Sequence, residues 1–128
     1  MVGILLLTHA PLGNAFVEAA SHVFRGMPER LEAIDVWADQ DPQEVRRLAH
    51  EAISRLDDGA GVLVLTDVVG GTPCNCTLSL SEPDHVEVLA GISLPMLLRA
   101  LTYRHELLSR VAERAIAGAQ TGAVRLDK

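Results

Sequence analysis

Two uninterrupted apolar runs, Val2 to Leu7 and Val62 to Leu65, stand out along the chain. Each is too short for a buried helix and lacks the alternation of a half-exposed strand. Such runs read as strands covered on both faces, as in a parallel sheet between helical layers. Between them the spacing changes. Phe16, Val17, Ala20, Val23 and Phe24 recur at helical intervals and predict a first helix from Asn14 to Phe24, stopped by Gly26 and Pro28. Leu31 to Trp37 sets polar Glu32 and Asp35 among apolar residues, as an edge-like strand does. A second helix starts at Asp41-Pro42, with Asp as N-cap, Pro at the first helical position and Glu44 at the third. Val45, Leu48, Ala49, Ala52, Ile53 and Leu56 form its apolar stripe.

The turn Asp57 to Gly61 leads into the central strand Val62 to Thr66, which ends in Asp67 and the loop glycines Gly70 and Gly71. A short helix is predicted from Thr72-Pro73, a fourth strand over Val86 to Ala90 ending at Gly91, and a helix opened by Pro95 and running through Leu101. From Leu107 to Ile116 helical spacing continues toward Gly118, and Ala123 to Leu126 reads as a last short strand. Strand-helix alternation of this kind implies right-handed crossovers and a doubly wound, mainly parallel α/β sheet. In the common order 2-1-3-4 the first and third strands are neighbours at the switch point, where ligands bind beyond the carboxyl ends. Both strands end alike, Leu7-Thr8-His9 and Leu65-Thr66-Asp67, so His9 and Asp67 are expected side by side.

Composition narrows the setting. A chain of 128 residues fits one domain, residues 1–128, with a core large enough to need no staples. Hydrophobic residues make up 48% but only four are aromatic, so Leu, Val, Ile and Ala must fill the core. A formal charge of −6 with scattered basic residues disfavours nucleic acid and anionic membranes as partners. No Lys or Arg precedes the N-terminal apolar run, so it does not read as a signal peptide, and no run is long enough to span a membrane. Cys74 and Cys76 are too few and too close for a secreted disulfide framework, and a cytoplasmic location is expected.

A carboxylate accepting from one nitrogen of a neutral imidazole sets its tautomer and turns the other lone pair outward, so Asp67 beside His9 suits a nucleophile or base. The plainer reading is an exposed strand-end His and a turn-capping Asp. Gly70-Gly71-Thr72-Pro73 adds flexible backbone, a hydroxyl and a helix start at the same edge, a set of donors suited to one phosphoryl group. The loop has no P-loop lysine and the first strand no G-x-G-x-x-G, so neither a nucleotide nor a metal cofactor is expected. Cys74-x-Cys76 would place two thiols on nearly opposite sides of a helix, which argues against shared chelation. Cys76 is read as core, and Cys74 is left between core and a reactive thiol at a helix start. His22, His50, His85 and His105 show no ligand spacing, and Met96 to Leu98 are left open between a site rim and the core that an apolar helix start usually joins.

Thr8-His9, the run Val62 to Asp67, the motif Gly70-Gly71-Thr72-Pro73-Cys74-Asn75 and Ala90-Gly91-Ile92-Ser93-Leu94-Pro95-Met96-Leu97 together carry a resemblance over essentially the whole chain. The chain resembles the enzyme IIA domain of the mannose family of the bacterial phosphoenolpyruvate-dependent sugar phosphotransferase system. The resemblance implies that His9 takes a phosphoryl group from HPr and passes it to an enzyme IIB, with Asp67 holding His9 and Gly70, Gly71 and Thr72 supporting the phosphoryl oxygens. It also implies a homodimer exchanging the last strand, where Ala123 to Leu126 lies. Peripheral contact with a membrane permease is expected only through partners. Two departures are the short segment Tyr103 to Glu106 and the lack of an enzyme IIB domain after Lys128, which leads us to expect a separate acceptor chain. Competing readings are a regulatory relay without transport, the phosphotransfer subunit of dihydroxyacetone kinase, and a small-anion-binding module. A hydrolase ranks last, since no second carboxylate, serine or metal cluster shares the edge.

Overall fold

The structure, a computed structural model, describes residues 1–68, 71, 73, 75, 76 and 79–127. Four strands, β1 (Gly3–His9), β2 (Leu31–Val36), β3 (Val62–Thr66) and β4 (Val86–Ala90), form one sheet in the order β2-β1-β3-β4. All pairings are parallel, and the order is the one expected from the apolar runs. The reason lies in burial. The interior strands β1 and β3 are covered on both faces, from Gly3 to Thr8 and throughout β3, so every position tolerates only apolar or hydrogen-bonded residues. The outer strands β2 and β4 are half-buried along most of their length and accommodate Glu32, Asp35 and Glu87. In register, Ile4 lies between Leu31 and Leu63, and Leu7 between Ile34 and Thr66.

Helices α1 (Leu12–Phe24), α2 (Pro42–Leu56), α3 (Leu94–Tyr103) and α4 (Leu108–Thr121) cover the sheet. Alternation in β1 and β3 divides the core in two. Ile4, Leu6, Leu63 and Leu65 face Ala20, Met96, Leu97, Val111 and Ala115. Leu5, Leu7, Val62 and Val64 face Val45, Ala49, Ala52 and Leu56 of α2, together with Cys76 and Leu80. Each fully buried Leu or Val side chain contributes about 1.5–3 kcal/mol, so these two layers supply the main driving force for folding. Cys76 is core, as expected, and burial pushes its thiol up from the ordinary value; Met96 and Leu97 are core as well.

Several element ends differ from the sequence expectation. Helix α1 begins at Leu12, two residues early, and its left-handed terminal residue is Arg25 (φ 56°) rather than Gly26. Asp41 caps α2 as expected, accepting from the Gln43 N–H at 3.0 Å, but the Glu44 carboxylate turns to Arg47 one turn on. Helix α3 begins at Leu94, capped by Ser93, with Pro95 second. Helix α4 runs through Gly118 to Thr121 because Gly118 is a close-approach site: a Cβ there would lie 2.8 Å from the Pro95 carbonyl oxygen. Residues 123–126 form no strand in this chain, and Val124 and Leu126 are exposed; among the described residues nothing pairs with them. The helix expected from Thr72-Pro73 falls largely outside the described residues, although Pro73, Asn75 and Cys76 are helical.

Candidate functional site

Residue His9 is the last of β1 and the first of that strand to reach solvent. Asp67 follows directly after β3, and the Leu7–Thr66 register step places the two strand ends side by side. The Oδ2 atom of Asp67 accepts the His9 backbone N–H at 3.0 Å and lies 2.7 Å from His9 Nδ1. Its Oδ1 accepts the Val68 N–H at 3.0 Å and faces the Thr66 hydroxyl at 3.5 Å. The imidazole is 50% exposed and the carboxylate 9%, so the acid is sheltered and the ring is presented.

These contacts set the chemistry. Burial works to raise the Asp67 carboxyl, but the His9 amide, the His9 ring and the Val68 amide outweigh it and hold the group below its ordinary value of 3.8. An ionised carboxylate has no hydrogen to donate, so the short contact requires the proton on Nδ1, and in the neutral ring the lone pair then lies on Nε2. Gly71 borders that ring. A Cβ at Gly71 would stand 2.9 Å from His9 Cε1 and 3.6 Å from Nε2, so the Gly71 backbone lies close against the outer edge of the ring. The carbonyl of Gly71 accepts the Asn75 N–H at 2.9 Å, tying the loop to the helical turn that follows.

Of the residues singled out from sequence, the structure thus unites His9, Asp67 and Gly71. Gly70, Thr72 and Cys74 lie outside the described residues. Among the described residues no three His, Cys, Asp or Glu side chains are grouped as a metal site. Two features escaped the sequence reading. Leu12, Trp37 and Val68, 43%, 62% and 52% exposed, follow close after the carboxyl ends of β1, β2 and β3, the sheet edge that also carries His9. Their positions just after strands were visible, but their exposure was not. The second is Asp35 of β2, which pairs in register with Thr8 and reaches Gly13 and Asn14 at the start of α1. A carboxylate between Ile34 and Val36 near the strand's end was the available signal.

The comparisons bear on the whole chain. A family model described as the PTS system fructose IIA component, EIIA-man, matches residues 3–116. The chain is 29% identical over 108 residues to the fructose-specific EIIA component of Bacillus subtilis, covering 84% of this chain and 73% of that protein. It is 27% identical over 106 residues to the mannose-specific EIIAB component of Escherichia coli, covering 82% of this chain but only 32% of the relative's length. The crystal structure of a phosphotransferase system EIIA component from Streptococcus agalactiae superposes with a TM-score of 0.87 at 27% identity, covering 98% of this chain and 97% of that one. A family match that takes in both strand ends of the His9–Asp67 pair, on a fold shared almost end to end with a solved EIIA, shows that this chain belongs to the mannose family of phosphotransferase-system enzyme IIA components.

Proposed function

We propose that this chain is a phosphohistidine carrier, taking a phosphoryl group from an HPr-like donor onto Nε2 of His9 and passing it to a separate enzyme IIB in sugar uptake. The observation that carries the reading is the 2.7 Å contact between His9 Nδ1 and a sheltered carboxylate, on a ring half open to solvent. The Nε2 lone pair attacks phosphorus while the donor's P–N bond breaks, and that bond's electron pair returns to the donor imidazole. One P–N bond forms as one is lost, and the Nδ1 proton stays in place. Positive charge that develops on the His9 ring is balanced by Asp67. The amides of Gly70 and Gly71 and the Thr72 hydroxyl are the proposed donors to the phosphoryl oxygens, in keeping with the Gly71 backbone lying against the ring edge. No resident cofactor takes part. The same steps in reverse deliver the group to the acceptor.

The exposed apolar side chains of Leu12, Trp37 and Val68, beyond the strand ends at the same sheet edge, support protein partners rather than a small substrate. No described helix is long and apolar enough to cross a membrane; any permease is reached through the partners, from the cytoplasm. The exposed residues 123–126 are proposed to complete the sheet of a second copy in a homodimer.

Intact-mass measurement after incubation with phosphoenolpyruvate, enzyme I and HPr, quenched at alkaline pH, tests the carrier role. Wild type is expected to gain one acid-labile phosphate and His9→Ala none. No gain with several HPr-type donors would sink the relay in favour of a small-anion-binding module.

A further inference from the structure

The turn from β1 into α1 is held at both ends by carboxylates, and only one of them touches His9. Asp67 takes the His9 end. At the other end, Oδ1 of Asp35 accepts the Gly13 backbone N–H at 2.8 Å and the Thr8 hydroxyl at 3.5 Å, while Oδ2 accepts the Asn14 side-chain amide at 2.6 Å. The first turn of α1 needs such an outside partner, because the residue at its N-cap is Pro11, whose side chain makes no capping hydrogen bond. Asp35 therefore caps the helix from the neighbouring strand, where a negative charge is also favoured by the helix dipole.

The approach is built around Gly13. A Cβ there would lie 2.8 Å from Asp35 Oδ1, 3.0 Å from the Thr8 hydroxyl and 3.1 Å from the Ala33 Cβ. Glycine at this position lets the helix start dock directly on the carboxylate. The intervening Ala10 N–H donates to the Val36 carbonyl at 3.0 Å, so the turn is fastened to β2 at two points, four residues or fewer from His9.

We infer that Asp35 is a positioning residue for His9: by pinning the start of α1 it holds the His9–Pro11 turn in the one path that keeps the imidazole on Asp67 with Nε2 facing outward. The inference rests on the phosphohistidine reading for its kinetic consequence but not for its structural one. Asp35 acts through acceptor geometry, so an isosteric amide replaces it and a truncated side chain does not.

Two variants and a control decide it. Asp35→Ala removes the acceptor, Gly13→Ala leaves the carboxylate but blocks the approach, and Asp35→Asn keeps an oxygen for the Gly13 N–H, with the Asn14 amide able to turn over. Nitrogen-15 spectra of the His9 ring, which need no donor protein, are expected to show the Nδ1–H tautomer in wild type and Asp35→Asn, and a mixture in the other two. Under saturating donor the phosphorylation rate of Asp35→Ala and Gly13→Ala is expected to fall about tenfold or more, with donor KM unchanged and Asp35→Asn within about twofold of wild type, because small displacements of a reacting group cost this much. Wild-type tautomer and rate in Asp35→Ala, with only a lower Tm, would overturn the inference. So would an Asp35→Asn as impaired as Asp35→Ala, which would make charge rather than geometry the cause. A wild-type protein that accepts no phosphate refutes the carrier reading instead, and the ring spectra still decide the role of Asp35.

Discussion

Oδ2 of Asp67 accepts both the backbone and the ring N–H of His9, while Oδ1 accepts the Val68 amide. With these donors in place in the folded chain and absent in the unfolded one, the carboxyl is more acidic when folded. The unfolded chain then takes up the proton first as pH drops. The stabilisation is present above the ordinary value of 3.8 and is lost as pH falls through the lower folded value. Thermal melts of wild type and Asp67→Asn are therefore expected to differ at pH 7 and to converge below about pH 4. An equal gap at pH 7 and pH 3 would mean that the ionised pair adds nothing. The pairing partners were legible in the sequence because two apolar runs ended in the same way. The double use of Oδ2 was not, since it depends on the β1–β3 register to a fraction of a residue.

Among elements, the junction after α3 depends most on a single side chain. Arg104 is only 5% exposed, and its guanidinium is held by backbone carbonyls. Its Nε and Nη2 donate to the Val2 carbonyl at 3.1 and 3.0 Å, Nη2 also to that of Arg30 at 2.8 Å, and Nη1 to that of Glu29. In return the Arg104 carbonyl accepts the Val2 N–H at 2.8 Å. The guanidinium thus joins the start of β1, the segment entering β2 and the end of α3. Burial draws it below its ordinary value, with Glu29 opposing. Arg104→Ala leaves three carbonyls short of a donor and is expected to cost about 2–4 kcal/mol, seen as a fall in Tm of roughly 10 °C in thermal melts. Lysine is expected to rescue little, having no planar fork. A loss under about 1 kcal/mol would mean that water replaces the fork.

For the molecule as a whole, among the described residues no strand lies outside β2, the far edge at β4 carries only the isolated bridge from Val86 to Glu82, and residues 123–126 form an exposed, partly apolar segment. Such edges are normally covered or paired. Light scattering at micromolar concentration is expected to give twice the 13.8 kDa chain mass, and a chain cut after Gly122 to give the single mass. A monomeric wild type, or a truncated chain that still dimerises, would count against strand exchange.

The hydrophobic pattern by itself determined the α/β class and four parallel strands, because strands buried on both faces need continuous apolar runs, and the order found is the common one for such right-handed crossovers. It also marked His9, Asp67 and Gly71, since each sits where an apolar run gives way to a loop. What only the tertiary structure decided was which atoms meet. Helix α1 started two residues early, with its first turn capped by Asp35 from the neighbouring strand. Gly118 stayed inside a helix because packing against Pro95 outweighed its weak helix propensity. Arg104 became a buried junction, and the last apolar residues stayed exposed because strand pairing needs a partner edge. Local pattern reports which side chains avoid water, whereas hydrogen-bond partners distant in sequence are chosen by the packed arrangement of the elements.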